Sequence, residues 1–180
     1  MEHIKQDKII NVPNALTLVR ILLLPVVVWR FVLGDTTGAL IAYMTAMLTD
    51  ALDGIIARKT NQITALGKLL DPIADKLSLL TLLGLFVSAG EIPLWVLAII
   101  LFKEVMMVIG GGVALKHGIV VYALPIGKIT TVTFVLSMLA RFLSMPSPAD
   151  ILLWISVALS MVALVWYAID LMKKLGLKQI

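Results

Sequence analysis

The sequence predicts an all-α integral membrane protein with six transmembrane helices and both termini in the cytoplasm. Three observations lead to this reading. Of the 180 residues, 61% are hydrophobic and only 14% charged, whereas a soluble domain is about half apolar and a quarter charged. The mean hydropathy is +1.05. Six stretches, at about 14–33, 37–58, 65–89, 92–115, 123–144 and 149–172, reach the roughly 20 mostly apolar residues that a bilayer-spanning helix needs.

Before the first span, residues 1–12 (MEHIKQDKIINV) carry both signs of charge and show no apolar core with a small-residue cleavage site, so no cleaved signal peptide is expected. They are expected to form a short cytoplasmic amphipathic helix with Ile4, Ile9 and Ile10 towards lipid, or else a disordered tail. Pro13 precedes the first span and Asn14 is its expected cap. The later spans are separated by Gly34-Asp35, the 59–64 turn, Gly90-Glu91, Lys116-His117-Gly118 and Pro146-Ser147-Pro148, residue types that stop helices and make turns. With no internal repeat and no low-complexity linker, residues 1–180 read as one membrane domain.

Topology follows from the basic residues. Lys5, Lys8, Arg58, Lys59, Lys68, Lys116, Lys128, Lys173, Lys174 and Lys178 fall on one side of the predicted spans. The opposite connections hold Asp35, Glu91 and Asp150, with Arg30 and Arg141 as exceptions. The positive-inside rule then puts both termini in the cytoplasm, which suits a multi-pass protein of the cell membrane. The net charge of +4 is carried beside hydrophobic spans, a pattern that fits anionic lipid or phosphate partners and not nucleic acid. No cysteine is present, which excludes disulfides, a thiolate nucleophile and zinc–thiolate sites.

Within the apolar pattern stand four aspartates, Asp50, Asp53, Asp71 and Asp75. A carboxylate in the bilayer costs a few kcal/mol or more, so such residues face polar cavities or pair with cations. Asp50 and Asp53 are three apart and Asp71 and Asp75 four apart, so each pair projects from one side of its helix. Two facing pairs supply hard oxygen ligands of the kind that Mg²⁺, Mn²⁺ or Ca²⁺ prefers. Gly54 and Ala57 clear bulk from one stripe of the second span, which admits either a packed helix or a flat ligand. Gly67 invites the same two readings, and Arg58 is either an interfacial anchor or a phosphate partner. Pro72 is expected to kink or to start the third helix.

In full, the run is Asp50-Ala51-Leu52-Asp53-Gly54-Ile55-Ile56-Ala57-Arg58, eight residues, Gly67, three residues, Asp71, three residues, Asp75. It resembles the signature of the CDP-alcohol phosphatidyltransferases, D-x-x-D-G-x-x-A-R-x8-G-x3-D-x3-D, at all eight of its defined positions. Residues 11–20 (NVPNALTLVR) also look like the start of many bacterial members, especially phosphatidylglycerophosphate synthases, and place Arg20 toward the cavity.

The resemblance implies transfer of a phosphatidyl group from CDP-diacylglycerol to an alcohol, with release of CMP. The implied acceptor is sn-glycerol 3-phosphate. It further implies two divalent ions, Mg²⁺ or Mn²⁺, on Asp50, Asp53, Asp71 and Asp75, with Asp75 also the base for the acceptor hydroxyl. Asp53, Gly54, Ala57, Arg58 and Gly67 would bind CDP-diacylglycerol, and Lys103 and Lys128 the acceptor. A homodimer among membrane lipids, its active site facing the cytoplasm, completes the implied picture.

Bacterial phosphatidylglycerophosphate synthases usually show an Arg-Glu pair in the fourth span followed by a further arginine. Here the pair is Lys103-Glu104, and Val105–Leu115 holds no basic residue. That segment is similar to the cardiolipin synthases of the family, whose acceptor is phosphatidylglycerol. A cation transporter could use the same intramembrane carboxylates, but it gives no reason for Gly54, Ala57, Arg58 and Gly67 at fixed offsets. Arg141 is expected to be an anchor at the outer face, and His117 a solvated loop residue.

Overall fold

The computed structural model describes residues 11–60, 65–119 and 125–176, without the side chains of residues 54, 57–60, 65, 66, 68 and 69. The amphipathic helix expected over residues 1–12 lies almost wholly outside the described residues. Among those described there is no strand, and six helices follow in order: α1 (Val12–Val32), α2 (Thr36–Thr60), α3 (Ala65–Ser88), α4 (Leu94–Lys116), α5 (Pro125–Phe142) and α6 (Pro146–Lys174). Three of them, α1, α4 and α6, are long and apolar enough to cross a membrane. The chain divides into two compact units, Met1–Phe86 and Val87–Ile180.

In the first unit, α1 and α2 are joined by a short turn and pack as an antiparallel pair. Pro13, Asn14, Thr17, Arg20, Leu24 and Val27 are the buried residues of α1, three or four apart and therefore on one stripe. On α2 the buried positions include Ala39, Ala42, Tyr43 and Ala46; alanines there allow close backbone approach. From α3, Leu82, Leu83, Leu85 and Phe86 are buried, and Phe86 meets Phe31 edge-on at 5.4 Å. Pro72 lies inside α3, which begins at Ala65, so it does not start that helix.

The cap of α1 is Asn11, not Asn14. Asn11 has extended backbone (φ −135°, ψ 166°) and its side chain accepts the Asn14 N–H at 2.9 Å. The helix therefore starts early enough to take in Pro13, which is tolerated there because first-turn N–H groups have no helical partner. Asp35 caps α2 in the same way, accepting the Gly38 N–H at 2.7 Å, and also pairs with Arg30 at 3.0 Å.

In the second unit, α5 and α6 form a hairpin, with the buried Ser137 hydroxyl donating to the Ala149 carbonyl at 2.7 Å. Trp95 stacks on Trp154 at 5.2 Å near the start of α4 and α6. Toward their other ends Gly110 lies against the Tyr167 ring, where any Cβ would collide; α4 and α6 therefore run parallel. Pro146-Ser147-Pro148 is the first turn of α6 and not a break before it.

Arg141 is no snorkelling anchor. Its side chain is 3% exposed; it donates to Asp150 at 2.6 Å and to the Glu91 carbonyl at 3.1 Å. With a carboxylate and a carbonyl in reach, the charge is compensated inside the unit and has no need of solvent. His117 caps the C-terminus of α4 and is exposed, its Nδ1 2.9 Å from the Val113 carbonyl.

Many large apolar side chains remain bare, Leu22, Val32, Leu94, Leu115 and Val108 among them. An exterior of this kind is tolerated facing lipid and is an aggregation hazard in water.

Helices α1, α4 and α5 end alike, with the 6→1 bond of a Schellman turn: Asp35 to Arg30, Ile119 to Ala114 and Met145 to Ala140. The left-handed position is Gly34 or Gly118 in the first two and Ser144, at φ 57°, in the third. Ser144→Gly is expected to stabilise the α5–α6 hairpin by roughly 0.5–1 kcal/mol, read as a higher Tm of the detergent-solubilised protein with unchanged activity.

Candidate active site

Six polar side chains from three helices meet in the first unit. Thr17 and Arg20 come from the buried stripe of α1, Asp50 and Asp53 from α2, Asp71 and Asp75 from α3. The helical spacing within each pair aims both members the same way, so the apolar stripe that packs α1 on α2 also delivers Thr17 and Arg20 to the carboxylates.

Arg20 is the hub. One nitrogen, Nη1, lies 2.5 Å from Asp50 and 2.5 Å from Asp75. The other, Nη2, lies 3.6 Å from Asp53. Asp50 and Asp75 share a single nitrogen, so their oxygens are no farther apart than twice that contact. Thr17 closes the other side: its Oγ1 is 3.0 Å from Asp71 and 3.2 Å from Asp53, and also 3.2 Å from the Pro13 carbonyl. A hydroxyl has one proton, so these three acceptors compete for it.

Burial grades across the cluster. The Arg20 side chain is 4% exposed and that of Asp53 7%, against 49% for Asp50 and 64% for Asp75. Asp71 is half-buried. The floor is thus Arg20, Thr17 and Asp53, and the mouth is Asp50 and Asp75. Asp50 and Asp75 are thus the carboxylates that a polar ligand meets first.

As a donor set, four carboxylates suit a hard divalent cation. Among the described residues, no three acidic or histidine side chains are grouped to hold one ion. The guanidinium is seated among the carboxylates and bridges them. The chemistry of the ligands fits Mg²⁺ or Mn²⁺; their present separation is that of an arginine-bridged cluster.

Of the other expected site residues, Gly67 is buried at the start of α3. The positions of Gly54, Ala57 and Arg58 fall on α2, but nothing beyond their backbone lies within the described residues. Lys103 and Lys128 belong to the second unit. Lys103 binds its own neighbour Glu104 at 2.5 Å on α4, and Lys128 is exposed near the start of α5. Thr17 was not among the expected site residues. The available signal was its place one turn before Arg20 in an otherwise apolar helix.

The sequence profile of the CDP-alcohol phosphatidyltransferases matches residues 10–162. The chain belongs to the CDP-alcohol phosphatidyltransferase family. Two of its relatives bear the name CDP-diacylglycerol–glycerol-3-phosphate 3-phosphatidyltransferase. That of Bacillus subtilis is 33% identical over 176 residues, covering 85% of this chain and 91% of its own length. That of Aquifex aeolicus is 34% identical over 132 residues, covering 72% and 74%. The cardiolipin synthase (CMP-forming) of Streptomyces coelicolor is 32% identical over 122 residues, covering 64% of this chain and 57% of that protein, so the chain spans little more than half of this relative.

For a CDP-alcohol phosphatidyltransferase, the hydroxyl bridge between α2 and α3 is open to test. Thr17→Val keeps the shape and removes the proton shared by Asp53 and Asp71. It is expected to lower kcat about tenfold, or ~1.4 kcal/mol, with a near-wild-type Tm. Thr17→Ser should retain most activity. Both are read by CMP release from CDP-diacylglycerol.

Proposed function

We propose that this phosphatidyltransferase transfers the phosphatidyl group of CDP-diacylglycerol to sn-glycerol 3-phosphate and releases CMP. The observation that supports it best is the convergence of Asp50, Asp53, Asp71 and Asp75 on two side chains of α1, in a chain with two relatives named for that reaction. The acceptor oxygen bonds to the phosphatidyl phosphorus, and the bond from that phosphorus to the bridging oxygen breaks. CMP leaves with the electron pair, and the acceptor proton passes to Asp75. Asp75 suits the role because it lies at the exposed mouth of the cluster, where an incoming alcohol arrives.

Asp50, Asp53, Asp71 and Asp75 would hold Mg²⁺ or Mn²⁺, two ions in all, whose chemistry there is to neutralise the pyrophosphate and acidify the acceptor hydroxyl. Asp53, Gly54, Ala57, Arg58 and Gly67 bind the CDP-diacylglycerol headgroup: the small residues leave room for the cytidine, and Arg58 meets phosphate. For the acceptor phosphate Lys128 is the better of the two lysines, since Lys103 is already paired with Glu104.

The reading includes a single domain over residues 1–180, and the family match supports it by running from the first compact unit into the second. It also includes six helices across the cell membrane, cytoplasmic termini, a cytoplasm-facing site and a homodimer with one site per protomer. The exposed apolar side chains and the distribution of basic residues favour the membrane placement.

A second reading, cardiolipin synthesis with phosphatidylglycerol as acceptor, is favoured by the Streptomyces coelicolor relative. An acceptor panel of glycerol 3-phosphate, phosphatidylglycerol, serine and inositol phosphate, run with labelled CDP-diacylglycerol and Mg²⁺ or Mn²⁺, separates them. Product from phosphatidylglycerol alone would replace the first reading by the second.

In the same assay Asp50→Asn, Asp53→Asn and Asp71→Asn are each expected to abolish turnover while the folded protein remains extractable. Near-normal activity in any of them would remove that residue from the ligand set. Lys128→Ala is expected to raise KM for glycerol 3-phosphate by a factor equivalent to about 2 kcal/mol, with little change for CDP-diacylglycerol. Equal losses on both substrates would place Lys128 on the pyrophosphate instead.

A further inference from the structure

Arg20 occupies the carboxylate cluster that would hold a divalent cation. Its Nη1 is 2.5 Å from carboxylate oxygens of both Asp50 and Asp75, and its Nη2 faces Asp53. A cation entering the cluster meets a full positive charge already seated against three of the four carboxylates, so the two repel one another and compete for the same negative charge.

The seat of the guanidinium is incomplete as well. Nε and Nη2 are fully buried and have no hydrogen-bond partner, although the side chain is only 4% exposed. Buried donors left unmade are costly, so Arg20 is held chiefly by charge at one end of its fork. Compensating the carboxylates is what keeps it there.

We propose that Arg20 competes with divalent cations for Asp50, Asp53 and Asp75: it assembles the carboxylates as their built-in counter-ion and withdraws from them as cations load. The proposal rests on the reading of these aspartates as metal ligands. Arg20 is here a positioning residue. Its charge offsets the mutual repulsion of α2 and α3, so the three helices can pack before any cation arrives, and its withdrawal lets the carboxylates close. Cation loading then has to overcome an internal ion-pair network, which sets the cation concentration that the enzyme needs.

The test uses the purified full-length protein in detergent. Mn²⁺ binding is followed by electron paramagnetic resonance, and Tm is measured with and without Mn²⁺. Arg20→Gln, which removes the charge, is expected to bind Mn²⁺ at least about tenfold more tightly than wild type and to gain more in Tm on its addition. Arg20→Lys, which restores the charge, should bring the affinity back toward wild type. If Arg20→Gln is recovered only in the presence of Mn²⁺, release of Mn²⁺ into excess EDTA is followed instead: slower release than from wild type is the expected result, and equal or faster release overturns the proposal. Saturable binding by wild type with unchanged or weaker affinity in Arg20→Gln overturns the competition alone. No saturable binding by either protein overturns the metal reading, and the competition with it.

Discussion

A guanidinium buried among aspartates is the constraint on which the first unit is built. Arg20 could not be 4% exposed in an apolar helix without anionic partners, and the four carboxylates could not be gathered without a cation. Each requirement answers the other. The ion pairs join α1 to α2 and α3, and they are met only in one register of the three helices. A shift of one residue along α1 would turn Arg20 about 100° away from the cluster. The apolar stripe from Pro13 to Val27 and the alanines of α2 then pack in the register that the charges demand.

Thr17 adds directionality to that arrangement. Its one proton lies among Asp53, Asp71 and a backbone carbonyl, so it can follow a redistribution of charge in the cluster without a change of rotamer. The graded exposure, from Asp53 at the floor to Asp75 at the mouth, separates residues that hold a ligand from one that an incoming alcohol can reach. Phosphoryl transfer asks for this kind of positioning and charge neutralisation more than for covalent help.

The second unit handles its charges differently. Arg141 is locked at the α5–α6 end by Asp150 and the Glu91 carbonyl, while Lys103 and Glu104 neutralise one another in mid-helix. Arg141 has two carboxylates for its one charge and Lys103 has one, whereas the first unit gathers four carboxylates around one guanidinium and one hydroxyl. The larger excess of negative charge, which one arginine cannot cancel, marks the first-unit cluster as the candidate cation site. The buried Ser137, Ser156 and Ser160 bond backbone carbonyls, Ser156 and Ser160 in their own helix and Ser137 across to α6. They serve packing and not chemistry.

The helical class, the positions of the helices and the four aspartates were legible in the chain, because hydropathy, helix-stop residues and i, i+3 and i, i+4 spacing are local properties. Local pattern failed where a residue fitted more than one reading. Asn14 was the wrong cap because Asn11 could bond back to it, and Arg141 looked like a solvent-seeking anchor because Glu91 and Asp150 are distant in sequence. Pro146-Ser147-Pro148 looked like a break, although a helix tolerates proline in its first turn. The family signature determined which residue types the chemistry uses. Only the tertiary structure decided that Arg20 bridges Asp50, Asp53 and Asp75 and that Thr17 links Asp53 to Asp71. Those are contacts between helices, and they depend on register and side-chain direction, which no run of residues specifies by itself.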